Sequence, residues 1–148
     1  MTLVTIRVLA FSLAWLTTSA AADTAKTLYD RLGGQSGVRA IANSLIDRVS
    51  ADPHLGRSFK DTKLSRIKGL LAEQICDLSG GPCRYSGDSM KEVHAGQHIS
   101  EAEFYGMVDT LRDILKQQHV GIGATNELLR LLAPMKRDIV EPEQAPTK

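Results

Sequence analysis

Paired glycines and prolines cut this chain into apolar stripes of helical spacing, and that pattern restricts it to an all-helical fold. Val38, Ile41, Leu45 and Val49 recur every three or four residues, the signature of one buried helix face. Leu64, Ile67, Leu71, Ile75 and Leu78 form a second stripe, and Phe104, Val108, Leu111 and Leu115 a third. Leu128, Leu129, Leu132, Met135 and Ile139 form the last, with Pro134 inside it predicting a kink or a break. A short helix around Leu28 and Leu32 is stopped by Gly33-Gly34. Asp52-Pro53, Gly80-Gly81-Pro82 and Gly121-Ile122-Gly123 punctuate the rest. Asp61 or Thr62 is placed to cap the helix carrying Leu64, and Ser100 with Glu103 spells a capping box. The stretch from Gly80 to Ser89 reads as a loop, after which Met90 to Ala95 has room for about one and a half helical turns. No strand, repeat or low-complexity segment stands out. Aromatic residues are only 5% of the chain, so the core must be mainly aliphatic.

The length, 148 residues, suits one domain, and 43% hydrophobic with 24% charged residues is a globular mixture. A formal charge of +1 supplies no basic surface for nucleic acid. Residues 1–22 differ from the rest. One base, Arg7, precedes the apolar run from Val8 to Leu16, and small residues including Ala20 and Ala22 lead up to Asp23. That is the layout of a secretory signal, and the run is short for a membrane span. The expectation is a signal peptide at 1–22, a domain at 23–148, a periplasmic or secreted location, and no membrane attachment after cleavage. The alternative is an uncleaved anchor. Cys76 and Cys83 would close a short loop as a disulfide, or stand as two thiols, one on a helix and one in a loop; an oxidising compartment favours the bridge.

Most catalytic signatures are missing: no phosphate-binding glycine motif, no Gly-x-Ser-x-Gly, no His-Glu-x-x-His. No Cys-x-x-Cys-His occurs, which excludes haem attachment through cysteines. Of His54, His94, His98 and His119, His94 stands out, on a short helix after a Gly-rich loop. An imidazole there could adjust to meet a haem iron. Local physics alone leaves it as more often a structural residue than a ligand. His54 reads as a solvent-facing turn residue and His98 as a loop residue.

Three segments carry a resemblance. Leu28-Tyr-Asp-Arg-Leu-Gly-Gly34, Gly80-Gly-Pro-Cys-Arg-Tyr-Ser-Gly87 and Met90-Lys-Glu-Val-His-Ala-Gly96 occur in this order at spacings that resemble the truncated haemoglobin family, group I, from about Thr27 to Val140. The resemblance implies an all-α, two-over-two helical sandwich around haem b. It places His94 as the proximal iron ligand and Phe59 on the haem face, with Arg66 and Tyr85 near the haem edge and Lys63 and Lys68 beside Arg66. On the distal side the chain departs from the family. Ile46 stands where many relatives have a tyrosine, and Ile67 and Leu71 where a glutamine is frequent. Gln74, one turn beyond Leu71, reads as a partly solvated helix residue. Met135 stands where some relatives have a histidine that crosslinks the haem, so no such crosslink is expected. The implied function is binding of a diatomic gas, O2 with NO or CO, at a pentacoordinate iron in an apolar pocket. The alternative is an enzyme for NO detoxification or for peroxide or nitrite chemistry, which would need an electron donor as partner. A helical interaction module without haem is the third reading, and His94 with Phe59 argues against it.

Overall fold

The computed structural model describes residues 26–141, so the signal segment expected at 1–22 lies outside the described residues. Seven α-helices and two 3-10 turns follow one another, with no strand among the described residues. Helix α1 (Leu28–Arg31) opens on a reciprocal cap in which Thr27 accepts from the Asp30 N–H and Asp30 accepts from that of Thr27. It stops at Gly33, whose φ of 92° is the left-handed conformation that costs glycine least. Helix α2 (Gly34–Ala51) follows directly and ends before Asp52-Pro53, as the punctuation predicts. After a 3-10 turn at Gly56–Phe59 comes α3 (Leu64–Leu78). The short α4 (Met90–His94) precedes α5 (Glu101–Gln117), which opens on the Ser100–Glu103 capping box. Helix α6 (Ile122–Leu132) gives way at Pro134 to a 3-10 turn, Ala133–Met135, and α7 (Lys136–Ile139) completes the set.

The cap expected for α3 is different. Asp61 sits in the left-handed region with φ 63°, and the Thr62 hydroxyl donates to the Phe59 carbonyl at 2.7 Å. Lys63 holds the N-cap position and makes no side-chain cap. The Thr62 hydroxyl that a sequence reading assigns to the helix serves the preceding 3-10 turn instead.

Helix α2 is the centre of the packing, lying against both α3 and α5, while α6 contacts α5 and α1. This is the two-over-two arrangement. Val38, Ile41, Leu45, Ile46 and Val49 of α2 meet Ile75 of α3, Leu111, Ile114 and Leu115 of α5, and Leu128 of α6 in one aliphatic core. Ile41, Ile75, Leu115 and Leu128 are wholly buried, and burial of each such side chain contributes roughly 1.5–3 kcal/mol.

Cys76 and Cys83 form the disulfide, with Cα atoms 5.7 Å apart. It ties the end of α3 to the loop leading into α4. Chain-entropy reasoning for a loop closed across seven residues gives about 2 kcal/mol of stabilisation. Replacing both cysteines with serine is therefore expected to lower the unfolding free energy by about that amount. Denaturant midpoints of the two proteins measure it, and reductant should lower the midpoint of the parent chain alone.

Candidate functional site

Helix α4 has five residues and needs a firm start. Ser89 supplies it: its hydroxyl accepts from the Glu92 N–H at 3.3 Å, and the Glu92 carboxylate accepts from the Ser89 N–H at 3.1 Å. The Ser-x-x-Glu spelling of this cap is legible in the sequence. The Ser89 hydroxyl, which also donates to that carboxylate at 2.6 Å, and then the Ser89 N–H hold the Glu92 carboxyl below its ordinary pKa.

His94 closes the helix, half-buried. Its Nδ1–H donates to the Met90 carbonyl one turn back, at 2.8 Å. In the neutral ring that bond assigns the proton to Nδ1 and leaves the lone pair on Nε2. A backbone acceptor on the second ring nitrogen also fixes the ring's orientation and raises the basicity of the first, the support that metal-bound histidines generally have.

The facing surface belongs to α3. Gln74 Nε2 lies 3.5 Å from the Met90 sulfur and 3.8 Å from that of Met135, so α3, α4 and the last 3-10 turn meet there. Met90 and His94 are four residues apart and share one face of α4. Ile67 and Leu71 lie seven and three residues before Gln74 and share its face of α3. The Gln74–Met90 contact turns the two faces towards each other. Gln74 is thus not the partly solvated residue expected; it is 9% exposed, because the fold brings two methionines over it.

Ile67 and Leu71 are half-buried and pack against the core that contains Ile46, itself 2% exposed. Phe59 packs on the same core from the 3-10 turn after α2. Tyr85 is half-buried in the loop before α4, where its hydroxyl donates to the Asp88 carbonyl at 2.9 Å and its N–H to Asp77 at 3.0 Å. Burial pushes its phenol above the ordinary range, with the Asp88 and Glu73 charges adding to the shift. Lys63, at the N-cap of α3, and Arg66, on its first turn, are exposed. Lys68 departs from them and pairs with Asp47 of α2 at 2.5 Å. His54 and His98 are exposed outside the helices, as expected.

Among the described residues no three His, Cys, Asp or Glu side chains gather as a metal site. One histidine cannot hold an iron ion alone. It suffices where a macrocycle supplies the other ligands and an apolar face receives that macrocycle. His94 with its oriented ring, on the helix whose Met90 meets Gln74 of α3, is a donor of that kind.

This is the build of a globin, and known proteins share it. Residues 27–141 match the family model described as "Bacterial-like globin". A group 1 truncated hemoglobin GlbN of Mycolicibacterium paratuberculosis is 32% identical over 117 residues, covering 79% of this chain and 86% of that protein. A group 1 truncated hemoglobin of Tetrahymena pyriformis is 26% identical over 115 residues, covering 78% and 95%. The crystal structure of the Tetrahymena protein in its Fe(III) form superposes with a TM-score of 0.73, covering 78% of this chain and 98% of that one. The 2/2 hemoglobin of Synechococcus, 21% identical, shares the fold with a TM-score of 0.72 over 78% of this chain and 98% of that one. The chain belongs to the truncated haemoglobin family, group I. Membership carries the family's cofactor, haem b, and the residues around His94 fit it.

Proposed function

We propose that the chain is an exported haem protein that binds diatomic gases, O2 with NO or CO, at a pentacoordinate iron held by His94. The observation that carries this reading is the 2.8 Å bond from His94 Nδ1 to the Met90 carbonyl, which presents Nε2 as a donor. Haem supplies the site at which gas binds; the chain's residues set how the site is held and how polar it is. Ile46, Ile67 and Leu71 surround the distal side with hydrocarbon and offer no hydrogen-bond donor. Phe59 packs on the haem face, and Arg66 with Tyr85 lies near the haem edge, where a guanidinium suits a propionate. Export is supported by the signal-like residues 1–22 and by the Cys76–Cys83 bridge, which suits an oxidising compartment.

The test is the absorption spectrum of the ferrous protein with and without CO. The expected result is a five-coordinate, high-spin ferrous form that converts on CO addition. A low-spin ferrous form with two histidine ligands would overturn the reading. Steady turnover of NO with a reductant would assign the alternative, an enzyme supplied by an electron donor.

A further inference from the structure

The turn that follows His94 is held in an unfavourable shape by two charged residues from distant parts of the chain. Gly96 and His98 both have left-handed backbone, with φ of 74° and 50°. For His98 this conformation carries a cost, and such residues persist where their surroundings fix them. Arg57 does so from one side. Its Nη1 donates to the Gln97 carbonyl at 2.7 Å and its Nη2 to the His98 carbonyl at 2.6 Å. The same guanidinium is anchored on both oxygens of Glu103, Nε to Oε1 at 2.6 Å and Nη2 to Oε2 at 2.8 Å. Glu103 is fixed in turn, because its Oε2 also accepts from the Ser100 backbone and hydroxyl, both at 2.8 Å. Glu141 holds the other side. Its Oε1 accepts from the Gly96 N–H at 2.6 Å, Oε2 meets His98 Nδ1 at 2.8 Å, and its backbone N–H donates to the Ile99 carbonyl at 3.0 Å.

We propose that Arg57 is a positioning residue for His94, forking between Glu103 and the two carbonyls of the turn so that α4 is held at its C-terminal end. The proposal rests on the reading of His94 as the iron ligand. The reason is mechanical. The Ser89 cap fixes where α4 begins, but after His94 the chain leaves the helix at once, through a turn in which Gly96 gives no side-chain restraint. Within that turn the Gln97 side chain returns to the Val93 carbonyl at 2.7 Å, and the Gln97 N–H to the His94 carbonyl at 3.1 Å. Those two bonds attach the turn to α4. Arg57 and Glu141 attach it to the rest of the molecule. A guanidinium suits this task because its donors lie in one plane at fixed angles, whereas an ammonium cannot keep a carboxylate and two carbonyls in register. Arg57 also stands two residues before Phe59 on the same 3-10 turn. One side chain thus couples the corner that carries Phe59 to the helix that carries His94. The Glu103 carboxyl, lowered to about 2 chiefly by its bonds to Arg57, stays charged wherever the protein is folded in ordinary buffers.

Arg57→Ala and Arg57→Lys in the full-length haem protein test this, with two readouts. The first is the iron–histidine stretching band of the ferrous protein by resonance Raman spectroscopy. The second is amide hydrogen exchange at residues 96–99. Arg57→Ala is expected to shift or broaden the band and to speed exchange in the turn by about tenfold or more, as the loss of charged hydrogen bonds predicts. Arg57→Lys should recover only part of either change. An Arg57→Ala protein of lowered Tm with an unmoved band would reduce Arg57 to a stability role and overturn the proposal. So would unchanged exchange at 96–99. His94→Ala is the control for the underlying reading: a band that survives it defeats ligation by His94, whereas a band lost with His94 but indifferent to Arg57 defeats the positioning role alone.

Discussion

Replacement of His94 by alanine is expected to abolish the iron–histidine bond and to weaken haem retention by more than about 100-fold, since even a partner that only orients a metal ligand is worth 10–100-fold. Among the described residues no cluster of metal-binding side chains stands ready to take over the iron. His98, four residues on, is exposed, left-handed and engaged with Glu141, so it cannot substitute without unmaking the turn. The variant should fold, because His94 contributes one hydrogen bond to a helix otherwise held by the Ser89 cap and by contact with α7. Exogenous imidazole is therefore expected to restore part of the ferrous–CO spectrum. Haem transfer to an acceptor apoprotein measures the loss, and an unchanged coordination spectrum in His94→Ala would defeat ligation of the iron by His94.

The helical framework was legible because it depends on short-range patterns. The α2 stripe and the Ser100–Glu103 box rest on residues three or four apart and the break at Pro134 on a single residue, and the structure places α2, α5 and the 3-10 turn there. The same local logic failed at α3, where Thr62 turned back to Phe59 rather than forward to the helix. It also failed for Gln74, whose burial depends on Met90 and Met135 arriving from 16 and 61 residues away. Arg57 is the clearest omission. Its partners stand 40, 41 and 46 residues along the chain, and no spacing rule flags an arginine in a turn. His94 had a weak local signal. The flanking segments that resemble a known family brought it forward, and the bond to Met90 then gave it a physical role.

Leu71→Gln is expected to slow O2 dissociation about tenfold while leaving CO dissociation within about twofold. An O2 ligand draws negative charge onto itself and gains from a donor, and a hydrogen bond to a charged group contributes roughly 1.5–3 kcal/mol against about 1 for a neutral one. CO draws less charge and gains less. Leu71 is the right position because it shares a face of α3 with Ile67 and Gln74, the face on which Gln74 meets Met90 of α4. Leucine and glutamine have similar length, and a half-buried site leaves the amide room to find water when no gas is bound. Ile46→Tyr would place a hydroxyl on the same side at a greater cost. Ile46 is 2% exposed, so a ring there overpacks the core by about 1–3 kcal/mol and needs a partner for its hydroxyl. The comparison separates polarity from packing. If Leu71→Gln folds with unchanged stability and its O2 dissociation rate equals that of the parent, the polarity of the pocket is set elsewhere. Gln74, one turn on with the Met90 and Met135 thioethers against its amide nitrogen, is then the group to change next.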